Sequence, residues 1–455
     1  MRRIAVMMAL VLCASTAADW PTVRGNAART GVAPSLLDSR SRVAWRTALT
    51  DSPTATCVEP IVAGGRVYVG ALNGCVFALD ADDGRVLWRF DVGGPVMHSP
   101  AWAPGPDRRG RLYVASIDGG LSCLDPATGR RLWQYDVGPG GFVASPTVMN
   151  TVIYIGARSG VFYAIRDGRG GPSLLWARDL GAPIWQTAAA LDAEQHPDAS
   201  GVFVMAEDRV ARCLDDGDGT VLWASPRAGG QSARDYYPVV AGEWVFFVTR
   251  PADGAGAVIA AENDILARAS KLELPLDARA VIQLRQRATE VPLKWRRREL
   301  FVVGKALEAE PGHQTMWAFR AEDGTPGRVP LLWGAGCGGV MSPPAVTPDG
   351  RAVVLWRSWY NGWSYDDRYA YASDSPLRGL GVLDPQTGML SPLAASQGVG
   401  PAVGECFRVT NESAVLQVAG GRLLAVHQGA VTSLNLAGGP LRVILAGHDT
   451  WLGEA

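Results

Sequence analysis

Five histidines, seven cysteines and 44 acidic residues are what this chain offers for catalysis or metal binding. His98, His196, His313, His427 and His448 are scattered. No pair stands at the i, i+4 spacing that brings two imidazoles to one zinc ion, and no Cys or carboxylate cluster completes a set. No Gly-x-Ser-x-Gly elbow and no phosphate-cradling glycine loop occurs, so the sequence shows neither an activated serine nor a nucleotide site. Two acid-rich stretches, Asp80-Asp82-Asp83 and Asp215-Asp216-Asp218, suggest calcium. The distant bidentate Glu that closes an EF-hand loop is missing at the required spacing, so both read as turns whose carboxylates take up backbone amides.

The cysteines divide into two groups. Cys123 and Cys213 each stand two residues before a turn residue, in a slot that elsewhere holds Ala78, Ala164, Ala318, Val382 and Ser433. Such a position is a tight inward site where Cys acts as a small hydrophobe. Cys57, Cys75, Cys337 and Cys406 remain. Cys57 with Cys75 could join neighbouring strands, and sequence leaves the pairing open. Aromatic rings with polar tips favour contact surfaces, and one stretch concentrates them: Trp356, Trp359, Tyr360, Trp363, Tyr365 and Tyr369. It reads either as a partner-binding loop or as a long hairpin folded onto its own sheet.

The elements that position these residues repeat. The pattern Leu-Asp-x-x-Thr-Gly-x-x-x-Trp fits Asp80, Gly84 and Trp88, then Asp125, Thr128, Gly129 and Trp133, then Asp215, Gly219 and Trp223. Asp384, Thr387 and Gly388 fit as well, with Pro392 at the ring position. Copies with small insertions have Arg166, Gly170 and Trp176, and Arg320, Gly324 and Trp333; a worn copy has Asn435, Gly439 and Val443. Each copy is a hairpin: Asp and Thr oxygens hold the turn amides, Gly supplies a positive φ, and Trp fills the gap to the next sheet. Apolar strands such as Arg66–Gly70 and Val152–Gly156 lie upstream, behind a Ser-Pro or similar step such as Ser99-Pro100 or Ser145-Pro146. About four short strands in roughly 40 to 50 residues make one propeller blade.

These copies predict an all-β, seven-bladed β-propeller of four-stranded antiparallel blades over residues 42–455, preceded by a lead-in at 19–41. An eight-bladed ring is the alternative, because the gap between Asp215 and Arg320 is long enough to hide a degenerate blade. Residues 253–299 in that gap read as an insertion with a helical period near Ile265–Leu272, and 356–371 as a second insertion. The strand Arg42-Val43-Ala44-Trp45 is expected to pair with the last blade and close the ring. The residues just before the first strands, Glu59, His98, Gln186, Tyr236 and Met341, would then converge at a central funnel mouth.

Composition sets the remaining bounds. At 47% hydrophobic and 19% charged the chain is globular, and a net charge of −1 argues against a nucleic-acid partner. The basic run Lys294-Trp295-Arg296-Arg297-Arg298 reads as a solvated segment. Arg2 and Arg3, the apolar run Ile4–Leu12 and the small residues Thr16, Ala17 and Ala18 form a secretory leader over residues 1–18. The mature chain is then expected to be periplasmic or extracellular. Leu12 before Cys13 disfavours lipid attachment at that cysteine.

The repeat resembles that of pyrroloquinoline-quinone (PQQ) type propellers, a family that includes quinoprotein alcohol dehydrogenases and the BamB lipoprotein of the β-barrel assembly machinery. Trp20, Arg24, Gly25, Arg29, Thr30 and Gly31 also resemble a lead-in common before such propellers. In the family's enzymes the quinone lies between a Trp and a disulfide of adjacent cysteines, beside a calcium ion. This chain has no adjacent cysteines and no Cys-x-x-Cys-His, so the expectation is no PQQ and no calcium. The resemblance implies a non-catalytic scaffold for a protein, peptide or glycan partner in the cell envelope, with an enzyme active in the funnel as the alternative.

Overall fold

Alternating apolar strands punctuated by Asp-and-Gly turns bury one face after another by folding into antiparallel meanders. The computed structural model of the chain contains such meanders throughout. It describes residues 19–33, 43–49, 51–55, 58–118, 120–138, 140–230, 232–234, 237–249, 316–329, 343–357, 378–392, 415–427, 430–436 and 442–445. Among these the only helical element is a three-residue 3₁₀ turn, Val23–Gly25. No helix among the described residues is long and apolar enough to cross a membrane.

The chain divides into two compact units. The first, residues 1–226 with 233–245 and 321–324, holds four successive four-stranded sheets. Sheet one runs Ile61–Ala63, Arg66–Gly70, Cys75–Asp80 and Val86–Asp91. Sheet two runs Ala101–Pro104, Gly110–Ser116, Gly120–Leu124 and Arg131–Tyr135. Sheet three runs Thr147–Met149, Val152–Gly156, Val161–Gly168 and Gly171–Asp179; sheet four runs Ala189–Leu191, Gly201–Met205, Ala211–Leu214 and Val221–Ala224. In the second unit, Ala345–Val346, Ala352–Arg357, Arg378–Asp384 and Met389–Pro392 form one such sheet. Val415–Ala419, Arg422–His427, Ala430–Asn435 and Arg442–Leu445 pair in the same order.

The repeat turns are built from their own side chains. Asp80 Oδ1 accepts the amide of Asp82, Asp125 Oδ1 those of Ala127 and Thr128, Asp215 Oδ1 those of Gly217 and Asp218, and Asp384 Oδ1 that of Gln386. The glycine closes each turn by donating to the aspartate carbonyl, as Gly129 does to Asp125 at 2.8 Å. Its φ of 72 to 75° at Gly84, Gly129, Gly219, Gly324 and Gly388 is the left-handed region where a side chain is strained.

The same glycine has a second task. A Cβ on Gly129 would lie 2.7 Å from the ring of Trp88 in the preceding sheet, one on Gly219 2.5 Å from Trp176, and one on Gly324 2.7 Å from Trp223. Each indole therefore lies flat on the next turn. Its N–H donates to the carbonyl after the turn aspartate: Trp88 to Pro126 at 3.0 Å, Trp176 to Asp216 at 3.0 Å and Trp223 to Ala321 at 2.8 Å. Tyr68 and Tyr154, whose rings lie about 6 Å from those indoles, donate to the same carbonyls. Directly across the strand from each Trp is the small slot, Ala78, Cys123, Ala164 or Cys213, with a β-bulge at the following step. Cys123 and Cys213 are free and buried, and burial raises both thiols, Cys213 to about 12.

Three expectations need correction. Residues 43–49 contain no strand; Trp45 instead supplies the indole for the first turn, its Nε1 donating to Ala81 O at 2.9 Å. In the third repeat the insertion lengthens the hairpin, so Gly168 pairs with Gly171 and the positive φ falls at Gly171 rather than Gly170. Cys75 is free, its sulfur accepting from Arg89 Nε at 3.0 Å, so it forms no disulfide with Cys57. Cys57, Cys337, Cys406, Trp333, the basic run at 294–298, both leader and Cys13, and the insertion at 253–299 lie outside the described residues.

Candidate functional site

The first strand of each sheet has one open edge, and an open edge must be covered or it recruits another chain. In the first unit the lead-in covers it. Trp20 pairs with Val62 of sheet one, and the carbonyls of Pro21, Ala27 and Ala28 accept the amides of Trp102, Ala190 and Val240. The sequence folds this way because two left-handed turns, at Arg24 (φ 60°) and Arg29 (φ 60°), steer the segment, with Gly25 and Gly31 beside them at positive φ. Gly31 has no alternative: a Cβ there would overlap the guanidinium of Arg24.

Both arginines are buried, Arg24 at 1% exposure and Arg29 at 0%. Arg29 is satisfied by neutral groups alone. Nη1 donates to Thr22 Oγ1 at 2.6 Å and Val23 O at 2.8 Å. Nη2 donates to Thr147 Oγ1 at 2.7 Å and Pro146 O at 3.3 Å, and Nε to Ala188 O at 3.2 Å. Burial pushes its pKa down to about 10, opposed by the charges of Glu59 and Tyr237, so it stays cationic at neutral pH. The hydroxyls before the first strands tie neighbouring sheets: Ser99 Oγ accepts from Glu59 N at 2.7 Å, and Thr187 Oγ1 from Ser145 N at 3.0 Å.

Three of the five funnel-mouth candidates are described. Glu59 Oε2 accepts from the amide of Arg24 at 3.4 Å and Oε1 from the Tyr237 hydroxyl at 3.5 Å, while Arg24 lies 5.9 Å from the Tyr237 ring centroid. His98 makes no side-chain hydrogen bond, and burial pushes its imidazole down to about 4, leaving it neutral. Gln186 is 0% exposed; its Nε2 donates to Ala233 O at 3.5 Å and its Oε1 has no partner. Tyr236 and Met341 lie outside the described residues. So does the aromatic stretch from Trp359 through Tyr360, Trp363, Tyr365 and Tyr369; Trp356 stands in strand Ala352–Arg357, in register with Gly379.

Beside Gln186 the structure assembles a group that sequence reasoning missed. Arg158 and Arg234 place their guanidinium carbons 5.1 and 4.0 Å from the ring centroid of Trp185. Both arginines are exposed, and the indole Nε1 is buried without a hydrogen-bond partner. One signal was available: Trp185 falls outside the repeat's Trp slot, where the two preceding segments have Met97 and Ala144. Among the described residues no group of three or more His, Cys, Asp or Glu is placed to hold a metal ion.

With that geometry in hand, comparison with known proteins places the repeat. Residues 30–105 and 102–179 each match the family described as outer membrane protein assembly factor BamB, a PQQ-type repeat. No curated protein matches the chain. Among solved structures, BamB from Moraxella catarrhalis is 14% identical, covering 87% of this chain and 84% of its own, with a TM-score of 0.43. A quinohemoprotein alcohol dehydrogenase from Pseudomonas putida is 13% identical, covering 93% and 71%, with a TM-score of 0.45. A computationally designed protein, Ika8, is 12% identical, covering 87% and 98%, with a TM-score of 0.39.

Proposed function

We propose that this PQQ-type β-propeller repeat protein is an exported, non-catalytic scaffold that binds a protein, peptide or glycan partner in the cell envelope. The observation that carries the reading is the lead-in. Around Glu59, His98 and Gln186, where a reacting group would have to sit, Arg24 and Arg29 are buried and the chain's own backbone occupies the first strands' open edges. What chemistry is left there is structural. His98 is neutral and without a hydrogen-bonded hydroxyl or thiol to activate, and Arg29 spends all three nitrogens on neutral acceptors. The family match supports an envelope setting, and the leader at residues 1–18 agrees with export.

A rigid array of sheets with variable connecting segments suits recognition, since binding residues concentrate on loops held by a stable frame. The insertion at 356–371 is such a segment. A crosslinked pull-down from the native envelope tests the reading: a specific partner is expected, and its capture should fall when 356–371 is deleted. Tight uptake of added PQQ and calcium with dye-linked alcohol oxidation would replace the scaffold by an enzyme.

A further inference from the structure

We infer that Arg158, Trp185 and Arg234 form a recognition site for an acidic side chain, Asp or Glu, carried on a peptide segment of a partner protein. The inference rests on the scaffold reading above and names the chemistry of its partner. Two exposed cations on one indole are not required by the repeat, whose two preceding segments have Met97 and Ala144 in place of Trp185. Stacking on the ring holds a guanidinium plane while leaving its N–H edge outward, so little freedom is lost when a carboxylate docks on that edge. Arg158 forms no ion pair among the described residues.

The frame beneath is fixed from several sides. Ile184 N donates to Ala157 O at 3.1 Å, Glu207 N to Pro183 O at 2.9 Å and Arg158 N to Gly141 O at 3.3 Å. Those bonds also spend the local amides, so there is no nest of free N–H groups of the kind that cradles phosphate. What remains to meet a ligand is a pair of planar forks beside an indole, and Arg and Trp are the side chains that dominate protein-binding hot spots. Two more groups stand unspent at the same step of chain, the Nε1 donor of Trp185 and the Oε1 acceptor of Gln186. A buried donor and acceptor left unpaired mark a place incomplete in the free protein, and a peptide backbone brings one of each.

The test uses the full chain and fluorescence anisotropy of a labelled glutamate-containing peptide, with its glutamine counterpart and inorganic phosphate as competitors. The acidic peptide is expected to bind, the glutamine peptide to bind at least tenfold more weakly, and phosphate not to displace it at matched concentration. Arg158→Gln and Arg234→Gln should each weaken binding about tenfold. Arg158→Lys, which keeps the charge and loses the fork, should recover only part. Unchanged melting temperature and circular dichroism in these surface variants separate lost binding from lost folding. No binding by the wild type, equal binding of the glutamine peptide, displacement by phosphate, or an unaffected double variant would each overturn the site. The envelope pull-down keeps the two readings apart: a partner captured equally by the double variant removes this site and leaves the scaffold standing.

Discussion

Tyr113 and Trp133 aim their donors at a side chain because the third repeat turn withholds the backbone carbonyl that serves Trp88 and Trp176. The lengthened hairpin pairs that stretch into the sheet, and Asp167, 2% exposed, offers its carboxylate instead: Oδ2 to the Tyr113 hydroxyl at 2.9 Å and Oδ1 to Trp133 Nε1 at 2.8 Å, with Arg111 Nε at 3.6 Å. Asp167→Ala strands two buried donors, so a loss of about 3 kcal/mol is expected in urea unfolding. Asp167→Asn should cost only about 1 kcal/mol, because the tyrosine hydroxyl can turn to accept. His98 gives the residue scale its pH dependence. Its pKa in the folded chain, about 4, lies below the ordinary 6.5, so between those values the unfolded chain binds more protons. The neutral imidazole's contribution is complete above pH 6.5 and is lost as pH falls towards 4, by at most about 3 kcal/mol. Unfolding curves across that window should be flatter in pH for His98→Leu than for the wild type; parallel curves would remove the assignment.

Sheets in the first unit are joined by a lock with two halves, an indole from one sheet and a glycine turn from the next. Two glycines separate backbone strain from contact. Gly181 has a φ of 77° and open space where a Cβ would go, whereas Gly219 has a φ of 74° and Trp176 at 2.5 Å. Gly181→Ala therefore reports the left-handed strain alone, about 1 kcal/mol. Gly219→Ala adds displacement of the ring and should cost a further 1–3 kcal/mol or so, read as the difference between the two midpoints in the same denaturant. Equal losses would mean that the indole moves aside freely. This level of the fold was open to sequence reasoning, because Asp, Gly and Trp at fixed offsets each have a local physical reason to be there. The Trp45 strand was misread for the opposite reason: an indole that docks on a turn needs no ladder partner, and no local pattern distinguishes the two. The small slot was read as a tight inward site, but its neighbour across the strand, the Trp itself, follows from register and bulge.

At the scale of the first unit, what coordinates successive sheets is a segment whose role no periodicity announces. Arg24 and Arg29 were visible as part of a lead-in resemblance, but arginine is among the side chains least often fully buried, so sequence alone argues for placing both at the surface. Burial becomes tolerable only when five acceptors from separate segments meet one guanidinium, a convergence that the folded chain alone reveals. Arg29→Met keeps much of the volume and removes the donors, leaving the carbonyls of Val23 and Pro146 and the hydroxyl of Thr22 without them. A loss of about 3 kcal/mol is expected, near the low end for breaking a buried charged network, because Thr147 still donates to Ala188 O at 2.7 Å. The loss should have an address. The amides of Val62, Trp102, Ala190 and Val240 all donate to lead-in carbonyls, so their hydrogen exchange should quicken together as the segment loosens. The amides of Gly129 and Gly219 donate within their own turns and should keep wild-type protection until global unfolding. If the four first-strand amides exchange as in the wild type while stability still falls, Arg29 holds only its own surroundings, and the lead-in is fastened by its backbone pairing with each sheet separately.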